Sequence, residues 1–226
     1  MSEKGFIRFA GWTGIITVIC FIVGTGFFFA AGPPQDVTDT GKLVAYYHRS
    51  SGLLITAVLF YSVAFTLWLV FTLGVRDLVR GAGTVWVSIA NVYYILSVAS
   101  AVVPLAGSAL LVSAIGDAMG KADPSAVRGL AEGGVAAYGA IDYVPLALSF
   151  AVFAWAVGRT KVLPGWTALI GWAAAILNAV SIPMAFAGTS TSFYSQFGLG
   201  PFLLSFLPIL IWSSVVAIQM IRRPTA

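Results

Sequence analysis

Apolar residues run along this chain in six long stretches, separated by short segments where charge, proline and glycine gather. The stretches lie at about Gly11–Ala31, Gly52–Val75, Val85–Ile115, Val135–Val157, Leu163–Ala187 and Gly198–Ile221. Each offers the roughly 20 apolar residues that an α-helix needs to cross a bilayer. The third is long enough to tilt or to extend past the membrane. The pattern predicts an all-α fold: a polytopic integral membrane protein, built as a bundle of six transmembrane helices in a single domain over residues 1–226.

The connections differ in kind. Gly32-Pro33-Pro34 stops the first helix, since proline fixes φ and lacks the N–H that a continuing helix needs. Thr38, Asp39 or Thr40 can cap a short helix through Lys42–Arg49. Its Leu43, Val44, Tyr46 and Tyr47 would then lie along the membrane surface. Residues 116–134 form a second short amphipathic segment, with Leu130 and Ala131 on its apolar side. The connection Gly188–Phe197 is polar, uncharged and rich in Ser and Thr.

Composition agrees with this reading. The chain is 59% hydrophobic and 9% charged, against about 25% charged in a soluble domain. No water-soluble fold of this length can hide so much apolar surface. The net charge of +4 comes without a basic stripe or an aromatic RNA-binding motif, so no nucleic-acid partner is expected. The charge speaks to topology instead. Six crossings put both termini on one side, and the tails and loops of that side hold Lys4, Arg8, Arg76, Arg80, Arg159, Lys161, Arg222 and Arg223. The other side holds only Lys42, Arg49, Lys121 and Arg128 of the 12 Lys and Arg residues. The excess of cations on cytoplasmic loops then places both termini in the cytoplasm. Lys4 and Arg8 before an apolar run resemble a signal peptide. The run is too long for that, and Phe29-Ala30-Ala31 is a poor cleavage site, so a retained helix is expected. Trp12, Trp68, Trp86, Trp155, Trp166 and Trp212 fall toward the cytoplasmic ends, where they suit an interfacial belt. Tyr46, Tyr47, Tyr138, Tyr143 and Tyr194 fall toward the other face.

Candidate chemistry is sparse. Cys20 and His48 are each the only residue of their kind, too few for a zinc, copper or iron–sulfur site, and a bis-His haem is excluded. No metal and no cofactor are expected. No nucleophile elbow, His-Glu-x-x-His, P-loop or dinucleotide fingerprint is present. Asp142 is the exception: a carboxylate inside the stretch from Tyr138 to Val157. An intramembrane ionisable group is costly and marks a functional site by default. His48 and Arg49 are candidate partners, provided that the second and fourth helices touch. Pro104, Pro145, Pro183, Pro201 and Pro208 all fall in the outer halves of their helices. Ser100, Ser108, Thr56, Asn178 and Ser181 share that depth. Together they suggest a polar cavity open to the outside, lined by Asp142, Tyr143, Asn178 and hydroxyls. The plainer alternative is a carboxylate at a wet helix mouth, or one bonded to Tyr and Ser hydroxyls for packing. Asn91 with Tyr93 and Tyr94 forms a second polar spot suited to interhelical hydrogen bonding.

Two segments carry a resemblance. Tyr46-Tyr47-His48-Arg49-Ser50-Ser51-Gly52-Leu53-Leu54 enters the second stretch. Val162-Leu163-Pro164-Gly165-Trp166, followed by Gly171-Trp172, enters the fifth. They resemble small bacterial multi-helix membrane proteins of the domain of unknown function 4386 family. That resemblance implies a bacterial plasma (inner) membrane address and supplies no activity and no catalytic residues. Three functions stay open. The first is binding or transport of a small molecule or lipid through the cavity at Asp142. The second is an accessory subunit that holds a membrane-protein partner. The third is an intramembrane enzyme on a lipid-like substrate, in which His48 and Asp142 would act as acid and base.

The topology is testable directly. A reporter that fluoresces only in the cytoplasm, fused after Ala226, is expected to glow, and a phosphatase active only outside the cytoplasm, inserted within residues 188–197, is expected to work. The opposite pattern refutes the orientation.

Overall fold

The computed structural model describes residues 2–32, 39–120, 123–139, 141–186, 193–194 and 199–223. Pro33, Pro34, Thr38 and most of Gly188–Phe197 lie outside the described residues, as do Lys121 and Ala122. Among the described residues the protein is all-α, with six helical segments long and apolar enough to cross a membrane. They are α1 (Glu3–Ala31), α2 (Thr40–Arg80), α3 (Trp86–Gly120), the pair α4 (Pro124–Tyr138) and α5 (Tyr143–Thr160), α6 (Gly165–Ser181), and α7 (Leu199–Ile221).

Local chemistry sets the ends. Ser2 caps α1 by accepting from the Gly5 N–H at 3.2 Å, and Gly32 ends it with a φ of 72° that an L-residue rarely adopts. Asp39 caps α2 by accepting from the Lys42 N–H at 3.1 Å. Asp123 caps α4 ahead of Pro124, accepting from the Ser125 N–H and hydroxyl at 2.8 and 2.7 Å. Those bonds to its charged form hold the Asp123 carboxyl below the usual carboxylate range.

Two boundaries differ from the sequence expectation. The short surface helix Lys42–Arg49 does not exist as a separate element: α2 runs unbroken for 41 residues. Nothing between Thr40 and Gly52 interrupts a helix. Leu43, Tyr47, Ser50, Leu54 and Ala57 continue one buried stripe at spacings of three and four. At 1.5 Å per residue α2 is about 60 Å long, roughly twice the hydrocarbon thickness of a bilayer. The second difference is a break where a continuous helix Val135–Val157 was expected. α4 ends at Tyr138 on the cap residue Gly139, and α5 begins only at Tyr143. Of the expected amphipathic segment 116–134, residues 116–120 end α3, and the rest from Pro124 joins the start of the fourth apolar stretch in one helix, α4.

Packing follows small residues. The helices run up and down: α1 lies along α2, α2 along α3 and α3 along α4, and α7 returns beside α1, so both termini share one end. A Cβ built on Gly74 of α2 would strike Ala10 of α1 and approach Met220 Cε of α7 to 2.9 Å. One on Gly107 of α3 would lie 2.9 Å from Ala137 Cβ of α4. Close approach of this kind is how helices associate where lipid offers no hydrophobic drive. The main core lies in the half nearer the termini and centres on Trp212, packed edge-on to Phe150 and Phe153 with ring centroids 4.9 Å away in each case. This corrects the belt assignment: Trp68 and Trp212 are buried core rings, whereas Trp12, Trp155 and Trp166 are exposed as an interfacial belt requires. Arg76 Nε donates to Asn91 Oδ1 at 2.8 Å, the interhelical bond expected at that spot. A second cluster at the far end joins Leu43 and Tyr47 of α2, Ala114 and Ile115 of α3, and Val127 and Ala131 of α4. Tyr46 and Tyr47 therefore face protein, not a membrane surface.

Gly74→Val is expected to destabilise the fold by about 1–3 kcal/mol, the usual cost of overpacking a close contact. Gly52→Ala, which meets nothing within 4 Å, is expected to be neutral or slightly stabilising. Unfolding of both variants in mild detergent checks the contrast.

Candidate functional site

The break between α4 and α5 places Asp142. Most of the backbone polar groups around it are satisfied locally. The Gly139 N–H donates to the Val135 carbonyl and the Tyr143 N–H to the Gly139 carbonyl, both at 3.2 Å, and the Leu146 N–H donates to the Asp142 carbonyl at 3.1 Å. Asp142 occupies the residue before α5, yet its side chain caps nothing. It is 6% exposed, and its Oδ1 has no hydrogen-bond partner among the described residues.

Asp142 lies on the wall of a cavity of about 270 Å³, near the low end of the ~300–1,000 Å³ typical of ligand pockets. α1 contributes Phe21, Thr25, Phe28 and Phe29, and α2 contributes Tyr46, Tyr47, Leu54, Ala57, Val58, Tyr61 and Phe65. Leu111 and Ile115 come from α3, and Val135, Tyr138, Gly139 and Tyr143 flank the break. α7 closes the remaining side with Pro201, Phe202, Ser205, Phe206 and Ile209. That wall includes a π-helical turn, Phe202–Phe206, in which the Leu207 N–H reaches the Phe202 carbonyl five residues back. Such turns in a helix often accompany functional sites. Here the turn follows from its prolines: Pro208 has no N–H for the regular ladder.

The hydrogen bonds around the cavity have a direction. The Thr25 hydroxyl donates to the Phe21 carbonyl at 2.7 Å, so the Tyr61 hydroxyl donates to Thr25 Oγ1 at 3.0 Å. The Ser108 hydroxyl donates to the Pro104 carbonyl at 3.0 Å, so the Tyr138 hydroxyl donates to Ser108 Oγ. The Tyr46 hydroxyl donates to the Gly32 carbonyl at 2.7 Å, and the Ser205 hydroxyl to Asn178 Oδ1 at 2.5 Å. These protons are spent within the protein, and none goes to Asp142.

Of the five residues singled out from the sequence, the structure brings Asp142 and Tyr143 together on the cavity wall. Asn178 is fully buried behind it. It donates from Nδ2 to the Ala174 carbonyl at 2.8 Å and touches the pocket only through Ser205. His48 and Arg49 sit on the exposed face of α2 and do not line the cavity. The hydroxyls of Thr56, Ser100 and Ser181 turn back to carbonyls of their own helices. The cavity expected to be polar is in fact walled mainly by aromatic and aliphatic side chains. Sequence reasoning assigned Tyr46, Tyr47 and Tyr138 to a membrane face and did not single out the phenylalanines. The three-and-four spacing from Leu43 through Tyr61 was the available signal, since it continues the buried stripe of the crossing helix. The prolines also divide by context. Pro145 falls in the first turn of α5, where no helical bond is lost, whereas Pro104 lies inside α3 and Pro208 inside α7.

Among the described residues, Thr17 Oγ1, Trp68 Nε1, Tyr93 OH, Trp212 Nε1 and Ser213 Oγ are also buried without a hydrogen-bond partner. None of their residues lines the cavity. No group of three or more His, Cys, Asp or Glu residues among the described residues could hold a metal ion. Compared with protein-family models, curated proteins and solved structures, the chain matches none.

Asn178→Leu keeps the volume but strips the Ser205 hydroxyl of its acceptor. It is expected to lower stability by about 1–2 kcal/mol, read as a lower unfolding midpoint in detergent, without altering ligand access to the cavity.

Proposed function

We propose that this chain is a bacterial inner-membrane protein, crossing six times with both termini cytoplasmic, that binds a small amphiphile or lipid in the pocket at Asp142. The observation that carries the reading is that Asp142, whose buried Oδ1 has no partner among the described residues, lines a mainly apolar cavity. A buried acceptor without a partner costs about 1–3 kcal/mol, and more when charged. A guest that completes its hydrogen bonding offsets that cost. The aromatic lining supplies the apolar contact area for the rest of the guest. The interrupted crossing fits the same reading, because irregular backbone at membrane depth is tolerated where it lines a cavity. Membrane residence itself draws on the six apolar helices and on large exposed side chains such as Leu59, Ile95 and Leu169. The inner-membrane address draws on the resemblance to the domain of unknown function 4386 family, and the orientation on the cation bias. An acid–base enzyme finds no support in the position of His48. Carriage of the guest across the membrane would be a further step for the same pocket.

The test fills the pocket. N-phenyl-1-naphthylamine, a neutral apolar fluorophore, is titrated into the full chain in lipid nanodiscs, with empty discs subtracted. Saturable binding near one per chain is expected, weakened at least about tenfold in Val135→Trp and in Ile209→Trp, both of which should unfold near the wild-type temperature. Equal binding by folded, filled variants would rule the pocket out.

A further inference from the structure

The charge pattern of the pocket defines the head of its guest. Among the described residues, Asp142 is the single carboxylate lining the pocket, and no Lys, Arg or His lines it. Thr25, Tyr46, Tyr61, Tyr138 and Ser205 already donate their protons within the protein. The wall therefore offers Asp142 neither a counter-ion nor a donor from these five groups, and its buried Oδ1 stays open. The same pocket is lined by aromatic residues. Tyr46 and Tyr47 stand with centroids 5.4 Å apart, and Tyr61 and Tyr138 with centroids 5.9 Å apart. Ring faces are the negative poles of an aromatic quadrupole and attract ammonium groups. A buried carboxyl with no cation beside it gains an ion pair from an ammonium group and gains none from an anion or a neutral guest.

Resting on the binding role proposed above, we infer that the guest is a lipophilic cation: an apolar body carrying a primary to quaternary ammonium group that pairs with Asp142. A free hydrophobic amine and an ammonium-bearing lipid headgroup share this chemistry. Anionic lipids and fatty acids do not.

Two isosteres separate charge from shape. Benzyltrimethylammonium and neopentylbenzene differ only in a nitrogen cation against a carbon, and phenylmethanesulfonate supplies the anion. Each competes against N-phenyl-1-naphthylamine on the full chain, in nanodiscs of phosphatidylglycerol alone. The cation is expected to displace the fluorophore and the anion is not. In Asp142→Asn the cation should weaken at least about tenfold, while neopentylbenzene and the fluorophore bind within about threefold of wild type. Asp142→Glu, which keeps the charge, should retain most of the cation's affinity. Added phosphatidylethanolamine that competes in the wild type but not in Asp142→Asn identifies a headgroup as the guest; no competition points to a free amine. If the fluorophore binds but the cation fails to displace it, or if both isosteres respond equally to Asp142→Asn, the cation inference is overturned and the apolar pocket stands. If the fluorophore itself does not bind, both fall.

Discussion

A helix that stops partway along an apolar crossing must house its freed backbone groups away from hydrocarbon, because lipid offers them nothing to bond. In a chain read as membrane-spanning, that constraint falls on the break between α4 and α5. Gly139 lets α4 end, local bonds across the break engage the N–H groups of Gly139, Ile141 and Tyr143, and the carbonyl of Asp142 starts α5. Asp142, whose buried Oδ1 has no partner among the described residues, lines a cavity to which α1, α2, α3 and α7 also contribute. The break, the buried carboxyl and the pocket are one arrangement seen from three sides.

The two ends of the bundle do different work. Toward the termini, glycine and alanine bring α1, α2 and α7 into close contact, and Trp212 fills the space among Phe71, Phe150 and Phe153. Side chains packed to this density leave no space for a guest. Toward the other end, α2 and α3 outrun the length a bilayer needs, and α4 packs across them with a core of its own. The pocket lies between these two packed regions. Its floor begins about one helical turn from the main core, as Phe65 stands three residues from Trp68 and Ile209 three from Trp212.

Much of the frame was legible in the sequence because burial in lipid has a one-dimensional signature. A run of apolar residues long enough to cross needs no knowledge of its neighbours, and the six expected stretches coincide with six helical segments long and apolar enough to span a membrane. Asp142 was legible for the same reason, as a charge in an apolar run. Its company was not. Arg49 and His48 are near the start of the second crossing in sequence, yet the rotation of α2 about its axis turns them outward and turns Tyr46 and Tyr47 inward. Asn178 shares the depth of Asp142 but spends its amide on Ala174 and Ser205.

By itself, then, the sequence determined how many segments are long and apolar enough to cross a membrane and where one carboxyl interrupts them, since these depend on residue type and spacing along a single chain. Only the tertiary structure decided which faces meet. Whether a tyrosine anchors in an interface or lines a pocket, whether a tryptophan marks a boundary or fills a core, and whether a hydroxyl's proton is free or committed all depend on helix rotation and on neighbours far away in the chain. In a bundle where nearly every face is apolar, hydrophobic patterning cannot choose that rotation; small residues at close contacts and the few buried polar bonds do.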